Sequence, residues 1–339
     1  MKRIEFHAMG SRMLALLDAD SGNAEQALES VPAWFEEWEQ ALSRFRPDSE
    51  LDRLNRSNGL PMAVSQTLWE VFQAARAAEQ FTGGLVNPTV LDALVAAGYD
   101  RSFESLPSIQ AGDGYTLSGP REEFPGSFED FPSSVGVYPS SVGVYPSSDG
   151  VYPGSCEVIV WDVLTRSLVL PENAHIDLGG VAKGWAADQA ARRLSRFGPA
   201  LVNSGGDIAI SGPTSNGQPW PVGVEDPFQA GIHFETLKLL RCGVATSGKD
   251  YHRWLKDGLW HHHIIDPRTG LSADTNVLAA TVVAPTVMEA EAAAKAVLIL
   301  GSRAGLEWLA ADSGLAGILV LENGKSTYSQ NMEKYLWRN

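Results

Sequence analysis

The sequence predicts an α+β fold of mixed sheet layers packed with helices. Strand-like and helix-like stretches follow one another without the regular βαβ period of a doubly wound sheet. With 44% hydrophobic residues in 339, the chain can bury a sizeable core, as one large or two ordinary domains.

Taken in order, MKRIEFHAMGSRMLALLDAD reads as two strands around a turn at Met9-Gly10, and Glu5, His7 and Arg12 interrupt any apolar signal core. Val31, Phe35, Trp38 and Leu42 recur at helical spacing and predict one amphipathic helix between Asn23 and Phe45. Pro47 and Asp48 mark a turn before a short polar helix. A further helix starts at Ser65, turns Leu68, Val71, Phe72 and Ala75 to one side, and ends at Gly83-Gly84. LVNPTVLDALVAAGYD is a turn and a short helix. The stretch from about 103 to 155 differs in kind, since PGSFEDF, PSSVGVY, PSSVGVY and PSSDGVY follow at a period of seven over 125–152. Proline in every repeat excludes a coiled coil, so a mobile, tandemly duplicated surface insertion is expected.

Beyond it, CEVIVWDVLTRSLVL gives two strands around a turn. In AHIDLGGVAKGWAADQAARRL, a buried strand end at Ile176 and Leu178 meets Gly179-Gly180, and a helix follows with Ala182, Ala186, Ala190 and Leu194 on one face. Such a junction can cradle an anion at the positive helix end, where Lys183 would be disfavoured without a negative group nearby. A solvated lysine beside a helix-packing glycine pair fits the same residues. Neither GxxxxGKS nor GxGxxG is present. PALVNSGGDIAISG and WPVGVEDP are strands around glycine turns, and CGVATSGKDYHRW holds a turn at Thr246-Ser247-Gly248 whose hydroxyls suit phosphate or ribose oxygens. HHHIIDPRTG is a strand broken at Asp266-Pro267. NVLAATVVAP is a strand, TVMEAEAAAKAVLILG a helix, and one more helix and the strand GILVLENG follow.

A net charge of −15 argues against a broad nucleic-acid-binding face. Cys156 and Cys242 stand far apart without CxxC spacing, so neither a disulfide framework nor a zinc knuckle is signalled. No run approaches the roughly 18 apolar residues of a membrane span, and a cytoplasmic location is expected. In a strand, His261 and His263 face one way and His262 the other. No carboxylate or cysteine completes a zinc set with them, and His261 and His262 are read as strand-surface residues.

Seven segments in this order, HAMGS, LSRFRPDSELDRLN, GGLVNPTV, IDLGGVAKGWAAD, VNSGGDIAISG, VATSGKDY and HHHIIDPRTG, resemble the ApbE family of flavin transferases, which move FMN from FAD onto a protein hydroxyl. The resemblance covers nearly the whole chain except the proline repeats. It implies a T-fold-like domain made of residues 1–102 and 156–339, with 103–155 inserted. It implies FAD held by Met9, Phe45, the turn Leu85, Val86 and Asn87, Asp177, Lys183, Ser247 and Ile264, with His263 and Lys183 catalytic. His263 occupies the family's histidine position, where it orients the site or handles a proton. Magnesium would sit on the diphosphate, held by the Ala182 carbonyl and by Glu291, and the partner would be an acceptor protein with a threonine or serine to be flavinylated.

The pattern departs from the family's at three positions. Asn87 stands where the family has aspartate, and Glu291 and Lys295 stand where it carries Asp and Thr as metal ligands. Glutamate four residues before lysine is the favourable order for a helical ion pair. The pair reads either as an internal salt bridge or as an ammonium taking over part of the cation's role, with metal binding weak or absent. Beside the transferase stand an FAD pyrophosphatase with water as acceptor, a flavin-binding or trafficking protein that lacks catalysis, and a non-flavin interaction protein whose repeats dock a partner.

Overall fold

The computed structural model describes residues 1–105, 155–250 and 252–338. The repeats of 125–152, and most of the expected insertion, lie outside the described residues. In chain order the elements are β1 (Lys2–Ala8), β2 (Ser11–Leu17), α1 (Gly22–Glu29), α2 (Val31–Leu42), α3 (Glu50–Asn55), β3 (Met62–Ala63), α4 (Gln66–Phe81), α5 (Leu91–Ala96), β4 (Val160–Asp162), β5 (Ser167–Val169), α6 (Ala182–Leu194), β6 (Ala200–Ser204) and β7 (Asp207–Ile210). There follow β8 (Trp220–Asp226), β9 (Gln229–Leu239), β10 (Cys242–Gly248), β11 (Arg253–Lys256), β12 (Leu259–His262), β13 (Ile265–Asp266), β14 (Leu271–Ser272), β15 (Val277–Ala284), α7 (Val287–Leu300), α8 (Ser302–Ala310), β16 (Ala316–Leu321) and β17 (Ser326–Tyr328).

Eight strands form one antiparallel sheet in the order β1-β2-β6-β7-β10-β15-β16-β17. One face carries Met13, Ala15 and Leu17 of β2, Val202 of β6 and Ala209 of β7 into a core with α2, α4 and α6, and Ala245, Ala280 and Val282 into a second core with α7 and α8. The opposite face turns Leu201, Ile210, Val244 and Ile318 towards the β8–β9 ribbon. The result is an α+β architecture of helices, sheet and ribbon in layers. Strand alternation explains it, because neighbouring residues of β6 and β7 serve opposite cores.

Two sequence expectations are corrected. The single helix from Asn23 to Phe45 is two helices that abut at Ser30, whose amide bonds back to Gln26 and Ala27 while Pro32 lies in the first turn of α2. Proline is tolerated there because the first-turn amides need no helical partner. Val31, Phe35, Trp38 and Leu42 are nonetheless all buried. Ile176 and Leu178 are buried but belong to no strand; Asn55 holds Ile176 instead, donating to its carbonyl at 2.9 Å and accepting from its amide at 2.8 Å.

Candidate functional site

Stretches far apart in sequence meet around a cavity of about 350 Å³, a size typical of small-molecule sites. Its wall includes the β1–β2 turn, the loop after α2, the segment between α4 and α5, the glycine-rich entry to α6, the chain after β12, and α7. Met9, Phe45, Leu85, Val86, Asn87, Asp177, Ala182, Lys183, His263, Ile264 and Glu291 all line it. Ser247 does not. The turn expected at Thr246-Ser247-Gly248 is instead the end of β10, paired with β15, and Ser247 lies buried there opposite Ala280, on the strand face shared with Gly243 and Ala245.

Met9 and Gly10 are the two turn residues of the β1–β2 hairpin, both at positive φ, 48° and 65°, as a two-residue hairpin of this twist requires. The Met9 amide donates to Glu39 at 2.8 Å, which ties the hairpin tip to α2. Asp177 is held twice: Arg44 Nε lies 2.6 Å from Oδ2, and the Gly179 amide donates to Oδ1 at 2.7 Å. The Arg44 guanidinium stands 4.1 Å above the Phe45 ring and 4.6 Å from that of Tyr99. Its Nη2 is buried without a hydrogen-bond partner among the described residues. Asn87 accepts at Oδ1 from the amide and hydroxyl of Thr89, at 2.9 and 2.8 Å, capping the single helical turn Pro88–Val90. An aspartate there could cap in the same way, so the change removes charge while keeping the turn.

The anion at the start of α6 is internal. Glu291, buried on α7, accepts at Oε2 from the Gly184 amide at 2.9 Å and pairs through Oε1 with Lys295 Nζ at 2.9 Å. A carboxylate beside first-turn amides is favoured by the helix dipole. Burial raises the Glu291 pKa, against the opposing pull of Lys295. Glycine at 184 is what allows the approach, since a Cβ there would fall 2.7 Å from Glu291 Oε2 and 3.3 Å from the Met288 backbone. Lys183 Nζ stands 3.3 Å from Oδ2 of Asp207, at the start of β7, without hydrogen-bond geometry. The Asp207 carboxylate, opposed by burial and helped by Glu291, raises the Lys183 pKa.

The histidine run divides its labour. His262 is buried and bonded into the backbone, its Nε2 2.9 Å from the Ala273 carbonyl and its Nδ1 accepting from the Ile264 amide at 3.3 Å. This corrects the surface reading. His261 stacks on Trp254 with ring centroids 6.5 Å apart. His263 lies beyond the end of β12, so strand alternation no longer governs it, and its ring faces His252 edge-on at 5.1 Å. Burial first, then His252, Lys295 and Lys183, hold His263 well below the ordinary imidazole range. Its Nδ1 is buried without a hydrogen-bond partner among the described residues. Burial and Lys183 bring His252 down to about 4.

The groups expected to hold magnesium, the Ala182 carbonyl and the Glu291 carboxylate, do not present a coordination set. Both Glu291 oxygens are committed, one of them to an ammonium, and a carbonyl at the start of a helix such as that of Ala182 is directed at the amide four residues on. Among the described residues no group of three or more His, Cys, Asp or Glu is placed to hold a metal ion. Sequence reasoning passed over Arg44, Tyr99, Asp207 and His252. Arg44 and Asp207 lie inside quoted segments, but their partners are more than a hundred and about twenty residues away in sequence respectively, which no local pattern announces.

The ApbE family model matches residues 9–319. An FAD:protein FMN transferase of Haemophilus influenzae is 26% identical over 336 residues, covering 93% of this chain and 85% of that protein. One of Treponema pallidum is 29% identical over 290 residues, covering 81% and 71%. One of Salmonella typhimurium is 32% identical over 154 residues, so the chain spans only 44% of that relative's length. Among solved structures, the ApbE protein of Thermotoga maritima superposes with a TM-score of 0.78 at 22% identity, covering 99% of each chain. Flavin transferase ApbE of Vibrio cholerae gives 0.72 at 21% identity, again over 99% of each.

Proposed function

The chain belongs to the ApbE family, and from that premise we propose that it is an FAD:protein FMN transferase, moving FMN from FAD to a threonine or serine hydroxyl of an acceptor protein with release of AMP. The observation that carries this reading is His263: a neutral imidazole whose buried Nδ1 has no hydrogen-bond partner among the described residues, in one cavity with the ammonium groups of Lys183 and Lys295. Phosphoryl transfer asks a protein for positioning, positive charge near the phosphoryl oxygens and a proton acceptor.

In the proposed reaction the acceptor oxygen forms a bond to the phosphorus of the FMN half as the bond from that phosphorus to the bridging oxygen breaks. The bridging oxygen leaves on AMP with the electron pair, and the hydroxyl proton passes to His263. Lys183 and Lys295 face the anionic oxygens. A diphosphate close to His263 raises its basicity, because a neighbouring anion favours the protonated imidazole, and so restores the ring's power as a base when substrate is in place. Phe45, Tyr99 and Arg44 form an aromatic and cationic wall suited to a flat heterocycle. Met9, Leu85, Val86 and Ile264 supply apolar contact, and Asp177 fixes Arg44.

The catalytic body is proposed to be residues 1–102 and 156–339, with 103–155 as an insertion. Among the described residues no helix is long and apolar enough to cross a membrane. A cytoplasmic location is proposed, in keeping with Cys156 and Cys242, which are buried and unpaired. Incubating the chain with FAD and a candidate acceptor is the test. AMP release together with flavin fluorescence that stays on the acceptor in a denaturing gel is expected. AMP without labelled acceptor indicates hydrolysis, and neither product indicates a flavin-binding protein.

A further inference from the structure

We propose that Lys295, and not a divalent cation, carries the positive charge at the FAD diphosphate, so that this chain binds FAD independently of magnesium. The inference rests on the FAD reading above and concerns the same cavity.

The geometry of Lys295 makes it a fixed cation. Its Nζ is held at 2.9 Å by Glu291 Oε1, a carboxylate itself locked at its other oxygen by the Gly184 amide. The lysine side chain is 15% exposed, and its Cε lies 3.8 Å from where a Cβ on Gly180 would stand. The ammonium is therefore set against the glycine turn that leads into α6, where an anion gains from the helix end. An ammonium has three protons. Glu291 engages one, which leaves two for phosphoryl oxygens.

Among the described residues a magnesium ion has no comparable seat. It demands near-octahedral oxygen donors at about 2.0–2.1 Å, and the nearby carboxylates each face an ammonium, Glu291 that of Lys295 and Asp207 that of Lys183. A dication bridging them would lie beside two positive charges, and like charges at such range repel. During transfer, the Lys295 protons can follow the charge that develops on the phosphoryl oxygens as the bond to AMP breaks. This is the electrostatic part that a metal ion otherwise plays.

The experiment is FAD binding by the full chain, read from flavin fluorescence, with a chelator and then with millimolar magnesium. Dissociation constants that agree within about twofold are expected, along with a manganese titration, followed by electron paramagnetic resonance in the presence of FAD, that reveals no site depending on Glu291. Because Lys295→Gln alone would strand a buried carboxylate, the informative variant is Glu291→Gln with Lys295→Gln, which leaves the formal charge of the site unchanged. That pair should weaken FAD binding about tenfold or more, the loss expected for charge-assisted hydrogen bonds, whereas Lys295→Arg with Glu291 intact should keep most of the parent's affinity. A double variant that binds FAD like the parent overturns the inference. So does a tenfold gain in affinity on adding magnesium, whether or not Glu291→Gln abolishes it. Binding of FAD under neither condition overturns the functional reading, and this inference with it.

Discussion

Gly184→Ala probes the junction that the site depends on. Three effects compete. Alanine is the better helix former by about 1 kcal/mol, which favours the variant. Against it, the new Cβ falls 2.7 Å from Glu291 Oε2 and 3.3 Å from the backbone of Met288. The carboxylate must swing away and lose its 2.9 Å bond from the Gly184 amide, at about 2 kcal/mol for a charge-assisted bond. The α7 backbone cannot yield as a side-chain tip can, and such overpacking costs about 1–3 kcal/mol. The sum is a net loss of about 2–4 kcal/mol. Urea unfolding of parent and variant measures it from the shift in midpoint at constant slope. A variant as stable as the parent, or about 1 kcal/mol more stable as propensity alone predicts, would refute the claim that Glu291 is locked against the start of α6.

Burial brings His262 down to about 4, so the unfolded chain takes up this proton first as the pH falls. The stability conferred by the neutral ring is complete above pH 6.5 and is lost between there and about 4, up to about 3 kcal/mol. His262→Gln should flatten that part of the stability profile in denaturant titrations at successive pH values, and an unchanged profile would exclude the effect. Asp188 has the opposite sign: burial lifts it to about 6 against the Val287 and Met288 amides it accepts from. Stability therefore falls as the pH rises from about 4 through 6, and Asp188→Asn should remove that fall when the two proteins are compared. Arg44→Ala strands Asp177 and should cost about 3 kcal/mol in urea unfolding, as breaking a buried pair does. Arg44→Lys should recover only part of this, since it keeps the charge but not the flat contact with Phe45 and Tyr99.

Much of the fold was legible because its signals are local. Helical spacing at Val31, Phe35, Trp38 and Leu42 marked the buried face of α2, and Ser65 marked the start of α4, whose Leu68 amide it caps. The break at Ser30 was not, because an apolar stripe continues across two abutting helices. Most of the candidate site was legible through its short segments, and every one of its expected residues except Ser247 lines the cavity. Illegible were the pairings between segments. Arg44 meets Asp177, and Lys183 meets Asp207, only through tertiary structure. The histidines misled for a related reason: alternation holds only while a strand lasts, and β12 stops at His262. The Glu291 and Lys295 ion pair was legible as one of two readings, and the contact at 2.9 Å establishes the pair itself.

His263 is the residue on which the proposed chemistry turns. The most direct measurement pairs two readouts on the parent and on His263→Ala: FAD affinity from flavin fluorescence, and AMP release in the presence of acceptor. Unchanged affinity, within about twofold, with AMP release reduced about 100-fold or more, the usual contribution of a general base, is the predicted result. AMP release that survives the substitution at parental rate would contradict it.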